Sequence, residues 1–109
     1  MGPRFIAPAP ATVARADLPL PNPYIAPGTR TEVRLEKIWR TVLMMDRIGV
    51  ADRYRDLGGD SFSATIIFTM IEEAFGASLP LASLLDAPTI AELARRIDLA
   101  ERGEAPGSG

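Results

Sequence analysis

The prolines of this chain are concentrated at its beginning, and their placement limits where regular structure can form. Seven of the ten prolines lie within residues 1–28, at positions 3, 8, 10, 19, 21, 23 and 27. Because proline fixes φ and lacks a backbone N–H, a continuous helix cannot cross this segment and extended, polyproline-like chain is favoured. We predict a semi-stiff linker over 1–28 and a flexible tail over 103–109, GEAPGSG.

The residue types present exclude several classes of function. The chain contains neither cysteine nor histidine, which removes disulfides, thiolate metal sites and the commonest general base. Its net charge is −2 and no segment concentrates positive charge, so a nucleic-acid partner is not expected. No apolar run is long enough to cross a membrane, and prolines interrupt the N-terminus where a secretory signal would lie. We expect a cytoplasmic, non-catalytic protein that is monomeric as an isolated domain.

Two segments show the caps and the apolar period of amphipathic helices. Thr29 and Thr89 are each followed three residues later by a glutamate, the spacing of a capping box. The apolar stripe of the first segment consists of Leu35, Ile38, Trp39 and Val42. The stripe of the second consists of Ile90, Leu93, Ala94 and Ile97. We predict that Glu36 and Arg40 pair on the outer side of the first helix.

Between these helices lie a long loop and a further helix. The helical period disappears over 45–60, where glycines punctuate the chain. The apolar anchors of this loop are Ile48, Val50, Tyr54 and Leu57. We expect the loop to lie against the helices and to contain a short helical turn. A helix over 61–75 follows, with Asp60 as its N-cap and Gly76 as its C-cap, and 80–85 allows one brief helix more.

Strand-like alternation of apolar and polar residues occurs nowhere in the chain. The sequence therefore predicts an all-α fold: a small four-helix bundle of three main helices and one short helix, with a long loop between the first two. We place this domain at 29–102, between the linker and the tail.

The stretch DLGGDSF at 56–62 is the most informative for chemistry. Gly58 and Gly59 permit a tight turn, Asp60 closes the helix start, and Ser61 becomes the first helical residue. An anionic group on the Ser61 oxygen would lie beside free backbone N–H groups at the positive helix end. The glycine pair, the aspartate cap and the serine at the helix start are each common in turns and helix caps. Our interpretation therefore depends on their occurrence together.

The period of the second helix divides its residues between two faces. We expect the core face to consist of Ala64, Ile67, Ile71, Ala74 and Phe75, and the wet side of Ser61, Thr65, Thr69 and Glu72. We hypothesise that Phe62, Thr65 and Ile66 form a docking patch for a catalytic partner next to Ser61. The alternative is that the loop before Ser61 covers the apolar residues of this patch, Phe62 and Ile66. For Ile66 we expect that the loop does cover the side chain.

Over about residues 24–100 the chain resembles the peptidyl carrier (thiolation) domain of nonribosomal peptide synthetases, within the acyl carrier family. The matching blocks are YIAP…TE at 24–32, DRYRDLGGDS at 52–61, LPL at 79–81 and APTIAELA at 87–94. The residues LPLP at 18–21 look like chain leaving an adenylation domain. Two departures from the family pattern concern Arg55, where a second aromatic is usual, and Phe62, where leucine is typical.

The resemblance implies a covalent cofactor. A phosphopantetheinyl transferase would move 4′-phosphopantetheine from coenzyme A onto Ser61, with Gly59 and Asp60 in the attachment motif and Asp60 near the magnesium of the transferase. The arm would carry aminoacyl or peptidyl thioesters to adenylation, condensation, epimerisation or other tailoring domains in the biosynthesis of nonribosomal peptides such as antibiotics.

Three alternatives stay open from the sequence. The first is an acyl carrier of a polyketide or hybrid synthase, which the cargo on the arm would distinguish from a peptidyl carrier. Freestanding fatty-acid carriers typically have a strongly acidic second helix, whereas this one has only Glu72 and Glu73 as acidic residues, which favours a peptidyl carrier over a fatty-acid one. The second is an unmodified helical module that binds partner proteins. The third, a small enzyme, is disfavoured by the missing histidine and cysteine.

Overall fold

The computed structural model describes residues 12–76, 79–80, 82–83 and 88–101. Its helices are α1 (Arg30–Leu43), α2 (Ser61–Phe75) and α3 (Ile90–Glu101), with short 3-10 helices at Arg15–Asp17 and Tyr54–Leu57. Helix α1 packs against both α2 and α3. The described ranges contain no strand, so the predicted all-α fold is confirmed. The predicted brief helix over 80–85 lies largely outside the described residues.

The predicted caps form at both ends of the bundle. The Oγ1 of Thr29 accepts a hydrogen bond from the Glu32 backbone N–H at 3.0 Å, and the Glu32 carboxylate accepts from the Thr29 N–H at 3.1 Å. At the start of α3 the Thr89 Oγ1 accepts from the Glu92 N–H at 3.2 Å. These bonds satisfy amides that would otherwise lack a partner within the helix, and thereby fix where α1 and α3 begin.

The core is formed where the apolar stripes of the three helices meet. Its helical members are Leu35, Ile38, Trp39, Ala64, Ile67, Ile71, Ile90, Leu93, Ala94 and Ile97. The prediction that Ala74 belongs to this core is wrong, since Ala74 is exposed. In the last turn of α2 the exposed Arg34 side chain donates to the Ala74 carbonyl and lies 4.1 Å over the Phe75 ring. Among the described residues no apolar group of the core is shown to pack on Ala74, and Phe75 is partly buried.

The loop over 45–60 lies on the bundle as predicted, and all four of its apolar anchors are buried. A carboxylate holds it at one end: Glu36 accepts the Ile48 backbone N–H at 3.1 Å and also pairs with Arg40 at 3.1 Å. The pair with Arg40 was predicted, but its outer placement was wrong, because the bond to the loop buries Glu36. Two residues further along the loop than Ile48, the Val50 carbonyl accepts from the Ala91 N–H at 3.1 Å and so joins the loop to α3.

The described part of the predicted linker, 12–28, lies against the loop over 45–60. It contains no helix apart from the 3-10 turn at Arg15–Asp17, it bends at 18 and again at 21–22, and its Leu18 and Leu20 pack on the core. The backbone N–H of Val50 donates to the carbonyl of Ile25 at 2.9 Å. No helix within the described ranges has the length and apolar character needed to cross a membrane.

Candidate functional site

A glycine turn brings the chain to the start of α2. Gly58 ends the second 3-10 helix in the left-handed region, at φ 85°. Gly59 has a different constraint, because a Cβ at this position would lie 2.1 Å from the Cζ atom of Tyr54. That separation is far below van der Waals contact, so the backbone at 59 can approach the Tyr54 ring only as glycine.

The Tyr54 side chain joins this turn to the core. Its buried ring meets Trp39 edge to face, with centroids 5.4 Å apart, and its hydroxyl donates to the Asp60 carbonyl at 2.7 Å. Its backbone N–H donates to the Pro88 carbonyl at 2.8 Å. Burial raises the pKa of the Tyr54 phenol, which therefore remains a neutral hydrogen-bond donor. Three contacts thus hold Tyr54 in place, and one of them, from its hydroxyl, holds Asp60, the residue that precedes Ser61.

Asp60 caps α2 as the sequence predicted. Its Oδ1 accepts from the backbone N–H of Ser63 at 2.8 Å. This bond lowers the pKa of the Asp60 carboxyl. The carboxylate is consequently ionised near neutral pH at an exposed position, where it is able to contact a partner protein as well as the helix.

Ser61 is the first residue of α2 and is exposed. The neighbouring hydroxyls are engaged within the helix: that of Thr65 donates to the Ser61 carbonyl at 3.0 Å and that of Thr69 to the Thr65 carbonyl at 2.9 Å. Ser63 is half-buried. A phosphate ester on the Ser61 oxygen would therefore project into solvent, close to the positive end of the helix dipole. The residues present fit an anionic group attached here.

The structure brings Gly59, Asp60 and Ser61 together in one turn, as predicted. The docking patch, Phe62, Thr65 and Ile66, is exposed beside them. The Phe62 side chain is 76% exposed and that of Ile66 38% exposed. The expectation that the loop covers Ile66 is therefore wrong, since the loop's apolar anchors point into the bundle and leave this side of α2 open. The predicted wet positions Thr69 and Glu72 are exposed as well.

Two residues in or beside the loop that presents Ser61, Arg15 and Asp52, were not predicted to interact. Asp52 was noticed only as part of a motif, and Arg15 only as part of a linker; the structure joins them in a buried ion pair at 2.7 Å. Their signal in the sequence is weak, because neither lies on a helical stripe. Among the described residues no group of acidic side chains is arranged to hold a metal ion.

Comparison with known proteins identifies the class to which this fold and site belong. The family described as "Phosphopantetheine attachment site" matches residues 33–97. Gramicidin S synthase 2 of Brevibacillus brevis is 37% identical over 98 residues, which cover 84% of this chain and 2% of that protein. Surfactin synthase subunit 1 of Bacillus subtilis (strain 168) is 32% identical over 100 residues, covering 85% of this chain and 3% of that protein.

Solved structures show the same fold. An active-site mutant of a peptidyl carrier protein superposes with a TM-score of 0.70 at 30% identity, covering 73% of this chain and 89% of that one. A peptidyl carrier protein in complex with the phosphopantetheine transferase Sfp and coenzyme A gives a TM-score of 0.67 at 32% identity, covering 69% of this chain and 97% of that one.

The chain belongs to the phosphopantetheine attachment family. Within it, the chain is a non-catalytic carrier domain related to the carrier regions of nonribosomal peptide synthetases, and the cofactor of its family is 4′-phosphopantetheine. It spans about 2% of the length of the first relatives it matches. Because the match to gramicidin S synthase 2 is longer than 29–109, it includes part of the proline-rich segment.

Proposed function

We propose that Ser61 is the residue to which 4′-phosphopantetheine is attached. The observation that carries this assignment is its placement: Ser61 is exposed at the positive end of α2, whereas Ser63 is half-buried and the Thr65 hydroxyl donates to the Ser61 carbonyl. In the transfer, the Ser61 oxygen forms the new bond to phosphorus, its proton leaves, and the nucleotide part of coenzyme A is released. The exposed Asp60 carboxylate is placed next to this oxygen, where it can contact the magnesium of the transferase.

When bound, the arm supplies a terminal thiol that holds aminoacyl and peptidyl groups as thioesters. We propose that this chain presents such groups to adenylation, condensation and tailoring domains of a nonribosomal peptide synthetase. Support comes from its likeness to gramicidin S synthase 2 and to the carrier in an A-PCP structure complexed with phenylalanyl-adenylate. The exposed face of α2 carries only Glu72 and Glu73 as acids, which also favours a peptidyl carrier.

The proposal extends to the protein around this domain. We assign 29–102 to the carrier domain, 1–28 to a connection with a preceding domain and 103–109 to a tail toward the next one. Because the relatives are synthetases of which this chain covers a few per cent, we infer a large multidomain synthetase located in the cytoplasm.

Treatment with coenzyme A and a broad-specificity phosphopantetheinyl transferase tests this function. The intact protein is expected to gain the mass of one phosphopantetheine group, and no more than one, since a single exposed hydroxyl lies at the helix end. Omission of coenzyme A is the control. Protein that stays at its original mass would favour an unmodified interaction module. A separate loading assay distinguishes the two kinds of carrier: a peptidyl carrier receives its cargo from an adenylation domain, and a polyketide carrier receives it from an acyltransferase.

The docking patch is tested by changing its most exposed member. Phe62→Asp is expected to alter the free energy of unfolding by less than about 0.5 kcal/mol, because the side chain is 76% exposed. The KM of the transferase for the carrier is expected to rise about tenfold, a loss of about 1.4 kcal/mol of apolar contact. Steady-state transfer rates and thermal unfolding measure the two effects.

Two further variants isolate the cause. Phe62→Asn removes the apolar ring without adding charge and should raise KM nearly as much as Phe62→Asp. Thr69→Asp adds the same charge on the exposed side of α2, outside the patch, and should leave KM unchanged. Loss of helicity in Phe62→Asp, or an equal effect of Thr69→Asp, would show that the patch is not a docking surface.

A further inference from the structure

The segment before α1, Thr12–Gly28, forms a strap against the loop that presents Ser61, and a bend within it brings Arg15 back to the carbonyl of Asn22. At its start Val13 pairs with Met45 in an isolated parallel bridge. Near its end the Ile25 carbonyl accepts from the Val50 backbone N–H at 2.9 Å. The strap therefore contacts the loop at two separated points. At these points, backbone groups of the strap that have no partner within the strap find one on the loop.

Between these points a buried ion pair joins the strap to the loop. The Nε and Nη2 atoms of Arg15 each donate to one carboxylate oxygen of Asp52, both at 2.7 Å. The Arg15 side chain is 10% exposed and that of Asp52 is 1% exposed. Nη2 also donates to the Asn22 carbonyl at 3.0 Å, and Asp52 accepts the Gly49 N–H at 2.8 Å. Short, two-pronged and shielded from water, this pair has the geometry of a strong charge-assisted contact.

A tyrosine adds an aromatic contact to the same region. The guanidinium of Arg15 lies 5.4 Å from the centroid of the Tyr24 ring, and that of Arg47, from the loop, lies 4.3 Å from it. Tyr24 belongs to the strap and Arg47 to the loop, so this contact crosses the same boundary as the ion pair. The strap is thus held by backbone, ionic and aromatic contacts together.

The ion pair lies close along the chain to the attachment turn. Asp52 is two residues before Tyr54, whose hydroxyl holds the carbonyl of Asp60 at 2.7 Å. Asp60 in turn precedes Ser61 and caps its helix. One end of the short run from Asp52 to Tyr54 is therefore bonded to the strap, and its other end to the residue that precedes Ser61.

We propose that Arg15 is a positioning residue for the attachment site: through Asp52 it clasps the strap to the loop, so that displacement of the strap loosens the presentation of Ser61. The consequence for cofactor transfer rests on the function proposed above, whereas the clasp itself is measurable without it.

Amide hydrogen exchange followed by mass spectrometry tests the clasp in the whole chain. In Arg15→Gln, which leaves Asp52 as an unpaired buried charge, amides of the strap and of the loop over 45–60 are expected to exchange at least about tenfold faster. The core amides of α1, α2 and α3 should keep their protection. Arg95→Gln, an exposed arginine on α3, is the matched control and should change neither region.

A positioning role also predicts how the variants combine. Arg15→Gln and Asp52→Asn should each raise the transferase KM about threefold to tenfold with kcat nearly unchanged, and the double variant should be no worse than either. Arg15→Lys, which keeps the charge but not the two-pronged geometry, should restore part of the loss. Exchange over 45–60 that is unchanged in Arg15→Gln would overturn the proposal, as would additive effects of the two substitutions. If the native protein takes up no cofactor, the proposed carrier function is refuted. The exchange data still test whether the contact between Arg15 and Asp52 holds the strap to the loop.

Discussion

Ser61→Ala is expected to take up no phosphopantetheine under conditions that convert the native protein completely. The reason is chemical, because the serine oxygen is the atom that forms the new bond to phosphorus. Removing an exposed hydroxyl at a helix start already capped by Asp60 should leave the fold intact. Intact-mass spectrometry measures the uptake, and circular dichroism verifies the helix content.

Ser63→Ala is the matched control, since it removes the same group from the same helical turn. The bond from Ser63 to Asp60 uses the backbone N–H, which alanine keeps, so this variant should stay folded and be converted to the same extent as the native protein. The assignment of Ser61 is refuted if Ser61→Ala still gains one arm, or if conversion depends on Ser63 instead.

Gly59→Ala is expected to be the most destabilising single-atom change near the site. A Cβ there would lie 2.1 Å from Tyr54 Cζ and 2.4 Å from its Cε1 and Cε2. The ring has to move, which loses its contact with Trp39 and its hydrogen bond to Asp60. Overpacking and the lost contacts together should cost about 3 kcal/mol or more of the free energy of unfolding, a large part of a small domain's stability.

Gly58→Ala separates this steric effect from backbone strain. Gly58 has φ 85°, but a Cβ there would meet nothing within 4 Å, so only the left-handed conformation is penalised, by about 1–2 kcal/mol. Chemical denaturation of both variants gives the comparison. Equal losses would contradict the close approach of Tyr54, and so would a Gly59→Ala protein that keeps native stability.

The local elements of this protein could be predicted from its sequence because their signals lie within one or two helical turns. Thr29, Asp60 and Gly76 were identified as caps by residue type and spacing alone, and each occupies that position in the structure. The buried stripe of α1 followed in the same way from its period. The attachment turn was found because Gly58, Gly59, Asp60 and Ser61 are consecutive.

The errors arose where the environment of a residue is set by a distant part of the chain. Glu36 has the spacing of an exposed ion pair, yet the Ile48 amide twelve residues later draws it into the interior. Ala74 continues the apolar period of α2 but is exposed, and the neighbour that contacts it is the charged, exposed side chain of Arg34. Ile66 stays open because the loop before Ser61 packs its own apolar residues inward.

The sequence by itself determined the helices, their caps and the exposed serine at the start of α2, since periodicity and capping are local properties of the chain. Only the tertiary structure decided that glycine is required at 59 and that the proline-rich segment is strapped to the loop through Arg15 and Asp52. The first depends on the turn that brings Gly59 against the Tyr54 ring. The second depends on contact between residues that are distant along the chain, and the pairing of a buried arginine with a buried aspartate leaves no periodic signal in the sequence. The physical reason is that burial and charge pairing are set by the whole fold, whereas helix starts and ends are set by neighbouring residues.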